Sequence, residues 1–223
     1  MRLVALIAAL IMSLIIALVT SCTGNSEQRA TLPDGSQLLA DSATAMRTVN
    51  TTHFTLDVQG NVPGIPLTSA DGRLTREGSA QGIARADLGR QVLELDFVIV
   101  GDTLYLRPPT GPIQQLPLSS APYDPSVILN QDRGIAALLA SGTGATTEAR
   151  EQVDGVDTYR LRANFPAQPL GTLVPGISQD TPGQVWIAVQ GSRLVKAQFP
   201  VADGTITVRF SDYDAPVQIT PPA

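Results

Sequence analysis

Residues 91–109, QVLELDFVIVGDTLYLRPP, decide how this chain folds. Leu93, Leu95, Phe97 and Ile99 occupy every second position, with Glu94, Asp96 and Val98 between them. A helix would scatter those apolar side chains around its axis, whereas a strand puts them on one face. Gly101-Asp102 supplies a tight turn and LYLRPP follows it, so the stretch is a β-hairpin. Strands with one apolar and one polar face build an antiparallel sheet that is wet on one side and needs a cover on the other.

The same period extends in both directions. Phe54, Leu56 and Val58 alternate with His53, Thr55 and Asp57, and DTYRLRANF, GQVWIAVQG, SRLVKAQFP and GTITVRFSDYD behave alike downstream. LTSADGRLT and SAQGIARADLG differ in one respect: Ala70, Gly72 and Leu74, then Gly82, Ala84, Ala86 and Leu88, make an apolar face of mostly small residues. Small residues there serve either a close backbone approach or space left for a ligand, and periodicity does not choose between them. Segments fit to cover the sheet are 125–130, 133–140 (RGIAALLA) and 167–173. Residues 38–49 can add a short helix with Leu39, Ala43, Met46 and Val49 on one side. The expected fold is therefore α+β: one antiparallel sheet of eight to ten strands with three or four short helices, without a repeat or a second domain.

Composition narrows the function. With 16% charged residues, a net charge of -5 and Lys196 as the sole lysine, the chain has no basic face for nucleic acid. One cysteine excludes an internal disulfide, and one histidine argues against a classical zinc site; no cofactor is expected. Nineteen glycines and 17 prolines agree with a turn-rich sheet.

The N-terminus is the strongest local signal. Arg2 precedes an apolar run over residues 3–19, which as a helix would span about 25 Å, short of the roughly 30 Å hydrocarbon core. A signal peptide over residues 1–21 fits better than a membrane span, because small Thr20 and Ser21 follow. Val19-Thr20-Ser21-Cys22 looks like the lipobox of bacterial lipoproteins, in which the cysteine thiolate accepts a diacylglyceryl group and the new N-terminus a further acyl chain. Two or more chains hold a protein stably on a membrane where one does not. Residues 22–37 then read as the lipidated cysteine and a flexible tether of roughly 20 Å root-mean-square span. Residues 38–219 would be one domain and 220–223 a tail.

Polar constellations give no enzyme. His53 and Asp57, four apart on a strand, stand roughly 13 Å apart, too far to hydrogen-bond. Glu94 and Asp96, roughly 7 Å apart on one face, have a glycosidase-like spacing but read as ordinary charges on a wet face. Arg160 and Arg162 share a face that could hold a phosphate or sugar or be plainly solvated. SGTGATTE lacks the spacing and preceding strand of a phosphate loop.

GNVPGIPLTSADGRLT, LDFVIVGDTLYLRPP, YDPSVILNQDRGIAALLAS and PGQVWIAVQGSRLVKAQ, in this order behind a lipobox, resemble the LppX/LprG family of mycobacterial lipoproteins over residues 38–218. The resemblance implies a strongly curved antiparallel half-barrel, with short helices across its concave side and an apolar cavity between. It also implies a non-enzymatic carrier of multi-acylated lipids, glycolipid or triacylglycerol in type, on the outer side of the cell membrane. Cys22 is the lipidation site. The residues expected on the cavity wall are Phe54, Leu56, Val58, Ala70, Gly72, Leu74, Ala84, Ala86, Leu88, Leu93, Leu95 and Phe97. The expected partners are an acylated lipid, the membrane through the anchor, and a transporter as the protein partner to test; the carrier is expected to be monomeric. The reading from another class is a scaffolding lipoprotein with a fully packed core.

Overall fold

The computed structural model describes residues 32–62, 65–87, 91–121, 124–174 and 176–222. The expected signal segment, Cys22 and most of the tether lie outside the described residues, as does Leu88. Among the described residues no helix is long and apolar enough to cross a membrane.

Helix α1 (Gly35–Met46) begins three residues before the apolar period suggests. Asp34 sets the start, its carboxylate accepting the Gln37 amide at 2.8 Å. Leu39, Ala43 and Met46 form the buried stripe of an amphipathic helix. Just beyond its last turn, the Arg76 guanidinium donates to the carbonyls of Arg47 and Val49, which have no helical partner.

The strands are β1 (Thr51–Asn61), β2 (Leu67–Thr75), β3 (Ala80–Asp87), β4 (Val92–Val100), β5 (Thr103–Arg107), β6 (Gln114–Pro117), β7 (Thr143–Val153), β8 (Val156–Phe165), β9 (Thr181–Ala188), β10 (Leu194–Val201) and β11 (Asp203–Ser211). They form a single open antiparallel sheet in the order β6-β5-β4-β3-β2-β1-β11-β10-β9-β8-β7. The hairpin read from residues 91–109 is β4–β5, with Asp96↔Arg107 through Val100↔Thr103 in register. The count exceeds the expected eight to ten because β6 and β7, the two edges, carry no apolar alternation.

This order determines where the cover lies. The first and last strands are neighbours, pairing Phe54 with Phe210, so the chain runs out to one edge at β6 and returns from the other at β7. The segment joining the two edges must cross a face of the sheet. It contains a 3₁₀ turn (Pro125–Val127) and helix α2 (Ile135–Ser141), and it buries Ile128, Leu129, Ile135, Ala136, Leu138 and Leu139. Helix α3 (Ala167–Leu173) joins the same layer between β8 and β9, with Leu170 fully buried. The expected covers at 125–130, 133–140 and 167–173 are these elements.

Strands β8 and β10 meet through their aromatic side chains. The Phe165 and Phe199 rings meet edge to face, 5.3 Å between centroids and 82° between planes. Gly183 makes that possible: a Cβ there would lie 2.4 Å from the Phe199 ring.

Candidate functional site

Strand register gathers the residues expected on the cavity wall. Phe54, Gly72, Gly82 and Phe97 form one row across β1–β4, and Leu56, Ala70, Ala84 and Leu95 form the next. Ala86 faces Leu93, Leu74 faces Ala80, and Val58 faces Ile206. The eleven of these twelve residues that are described share the apolar, concave face. Phe54, Ala70, Gly72, Leu74 and Ala86 are buried; Leu56, Val58, Ala84, Leu93, Leu95 and Phe97 are half-buried.

An apolar cavity of about 70 Å³ lies on the same side, bounded below by β9–β11 and above by the helical layer. Ile135, Leu138, Leu139, Leu170 and Val174 hang into it from above, and Val185, Ala197, Phe199, Val208 and Phe210 form its floor. None of the residues expected from sequence lines this cavity. They continue its floor sideways, since Phe210 and Val208 pair directly with Phe54 and Leu56. Sequence reasoning missed the β9–β11 floor because its side chains, Ala197 apart, are large.

Gly72 needs a correction: its small size leaves no ligand space. A Cβ there would stand 2.5 Å from the Gln81 carbonyl and 3.2 Å from the Phe54 ring, so strand contact and that ring already use the room. At its partner Gly82 a Cβ would lie 2.1 Å from the Asp71 carbonyl. For this glycine pair close backbone approach is the operative reason.

The convex face carries the polar residues weighed above. His53 Nε2 lies 3.0 Å from Asp71 Oδ1, and its Nδ1 lies 3.0 Å from Ser211 Oγ. Asp71, rather than Asp57, is the carboxylate on this histidine. The trio crosses β2, β1 and β11 on the outer face of the sheet. Glu94 binds Arg85 at 2.7 Å and does not pair with Asp96 as a glycosidase would require. Arg160 contacts Glu148 and Glu151 at 3.2 and 3.3 Å, and Arg162 contacts Glu148 at 2.7 Å, so both guanidiniums are engaged. The Arg162 hydrogen bond holds the Glu148 carboxyl below its ordinary range against the effect of burial. The Lys196 ammonium lies 4.1 Å from the Trp186 ring centroid, and burial lowers its pKa. Among the described residues no group of three or more potential ligands could hold a metal ion.

The chain matches the family described as LppX_LprAFG lipoprotein over residues 34–219. It is 35% identical over 215 residues to the lipoarabinomannan carrier protein LprG of Mycolicibacterium smegmatis, covering 93% of this chain and 91% of that one. To the lipoarabinomannan carrier protein LprG of Mycobacterium tuberculosis it is 29% identical over 227 residues, covering 99% and 95%. The crystal structure of LprF from Mycobacterium bovis is similar with a TM-score of 0.78 and 25% identity, covering 85% of this chain and 97% of that one. That of LppX from Mycobacterium tuberculosis shares the fold at a TM-score of 0.64 and 24% identity, covering 82% and 98%. The chain belongs to the LppX_LprAFG family of lipoproteins.

Proposed function

We propose that this protein is a non-enzymatic carrier of multi-acylated lipids, glycolipid or triacylglycerol in type, held on the outer side of the cell membrane through an acylated Cys22. The observation that carries the reading is the apolar cavity under α2 and α3, continuous with a half-buried apolar wall on β1–β4. Exposing one sixteen-carbon chain to water costs on the order of 13 kcal/mol, and an apolar lining removes most of that cost. A carrier of this kind works through surface and needs no reactive residue. The cavity alone houses two or three methylene groups at about 30 Å³ each, so a whole chain runs on from it along Leu56, Leu95 and Phe97. The lipoarabinomannan carriers among the relatives support a glycolipid cargo.

In this reading residues 1–21 are removed on export, residues 22–37 tether the domain, and residues 38–219 carry the lipid as a monomer. Because α1 takes in Gly35, the free tether is three residues shorter than its composition suggests. A scaffolding lipoprotein with a fully packed core is the other reading, and a half-buried Leu93, Leu95 and Phe97 on the helix side of the sheet speak against it. Mass spectrometry of lipids extracted from the purified full chain separates the two. A carrier yields stoichiometric acylated lipid beyond the anchor itself; a scaffold yields the anchor chains alone.

A further inference from the structure

A second hollow lies on the opposite, convex face. It is an open basin of about 440 Å³ that carries Thr55, Ser69, Asp57, Asp71, Arg85 and Arg209, with Leu56, Ala70 and Ile83 completing its lining. Register explains the hollow. Thr55 lies between Asp71 of β2 and Arg209 of β11, and Ser69 lies between Asp57 of β1 and Arg85 of β3. Two short hydroxyl residues are thus each flanked by longer charged side chains on neighbouring strands.

Three of the four charges are positioned from outside the basin. His53 Nε2 holds Asp71 through Oδ1 at 3.0 Å, leaving Oδ2 for another donor. Glu94 Oε2 accepts from Arg85 Nε at 2.8 Å, and Arg209 Nε lies 3.5 Å from Asp154 Oδ2. The Asp57 carboxylate has no hydrogen-bond or ion-pair partner among the described residues, while its backbone sits in the β1 ladder. Side chains held in this way lose less freedom when a ligand arrives.

The composition selects the ligand class. Glu94 and Asp154 already neutralise the two guanidiniums, so an anion is disfavoured, while Asp57 and Asp71 remain to accept from hydroxyls. Carboxylates accept, guanidiniums donate, and the hydroxyls of Thr55 and Ser69 do both. Ile83, 43% exposed at the rim, adds an apolar edge. Adjacent hydroxyls on a ring with an apolar C–H face satisfy all of these at once. The geometry points to a binding site for an uncharged oligosaccharide on the convex face, built from Thr55, Asp57, Ser69, Asp71, Arg85 and Arg209. The inference goes beyond the carrier reading and does not depend on it, because the sheet separates this basin from the apolar cavity.

The test is calorimetric titration of the full-length protein in detergent micelles with mannotetraose. Saturable binding is expected, weakened at least tenfold by Ser69→Trp, whose indole occupies the basin, and several-fold by Asp57→Ala. Both positions face outward, so melting temperatures near wild type are expected; should Ser69→Trp fail to fold, Asp57→Ala decides. Lipid content should be unchanged in both variants, which keeps this test separate from that of the carrier. Absence of saturable binding, equal binding by wild type and variants, or competition by sodium phosphate as strong as by the sugar would each overturn the inference.

Discussion

Ala197→Leu is the substitution that most sharply separates an unfilled cavity from a packed core. Ala197 is 6% exposed, sits between Val185 and Val208 in register, and lines the cavity. Leucine adds three carbon groups, which need about 90 Å³ at the roughly 30 Å³ of a water-sized group; the cavity offers about 70 Å³. Three newly buried groups contribute up to about 2.4 kcal/mol. The slight overfill costs part of that gain, leaving about 1 kcal/mol and a melting temperature about 2–4 °C higher. In a core without a void the same change would cost 1–3 kcal/mol. A bound acyl chain meanwhile loses its place for two or three methylenes, about 2 kcal/mol or about thirtyfold in affinity. Thermal denaturation and displacement of a fluorescent acyl probe measure both quantities on one sample. A variant that melts earlier and binds the probe as tightly as wild type refutes the reasoning.

Three further outcomes are expected. Gly82→Ala forces a Cβ to within 2.1 Å of the Asp71 carbonyl and should cost about 1–3 kcal/mol by chemical denaturation, since backbone must move; an unchanged midpoint would contradict the close strand contact. Cys22→Ala should abolish acylation and cleavage, leaving either an unprocessed precursor that keeps its apolar 3–19 run or a soluble form; processed protein retained in the detergent phase on partitioning would remove Cys22 as the anchor. Asp214 accepts the Asn50 amide at 2.8 Å and binds Arg193, and the Asn50 hydrogen bond leads in holding its carboxyl below the ordinary range. Its folded pKa is thus below its unfolded value of about 3.9, so its contribution is complete above that value and is lost as pH falls through the folded one. Urea midpoints should therefore drop more steeply below about pH 4 in wild type than in Asp214→Asn, and parallel curves would contradict the assignment.

The β4–β5 hairpin is legible in sequence because its inward side chains are large and apolar and its turn carries Gly101, whose φ of 57° places it in the left-handed region. Edge strand β7 is not: TGATTEAREQV has no apolar alternation, and two register shifts against β8 break the period of two. Its Gly144 sits at a φ of 62° within that irregular start, so a glycine that reads as loop punctuation belongs to a strand. The shared face of Phe54, Ala70, Ala84 and Leu95 follows from alternation alone. Where the cavity sits on that face does not, because this depends on where the crossover lays α2 and α3, and no local pattern encodes that. The His53–Asp71 contact is equally hidden, joining residues 18 apart through the β1–β2 register.

The central claim is that acyl chains lie between the concave face and the helical layer. A lipid with a photoactivatable diazirine at the end of one acyl chain, loaded onto the full-length protein and irradiated, reports its neighbours directly by peptide mass spectrometry. The account predicts labelling of Leu138, Leu170, Phe199 and Phe210 around the cavity, with weaker labelling of Leu56 and Phe97 along the wall. Labelling confined to convex-face residues such as Thr55, Ile83 or Trp186 would contradict it.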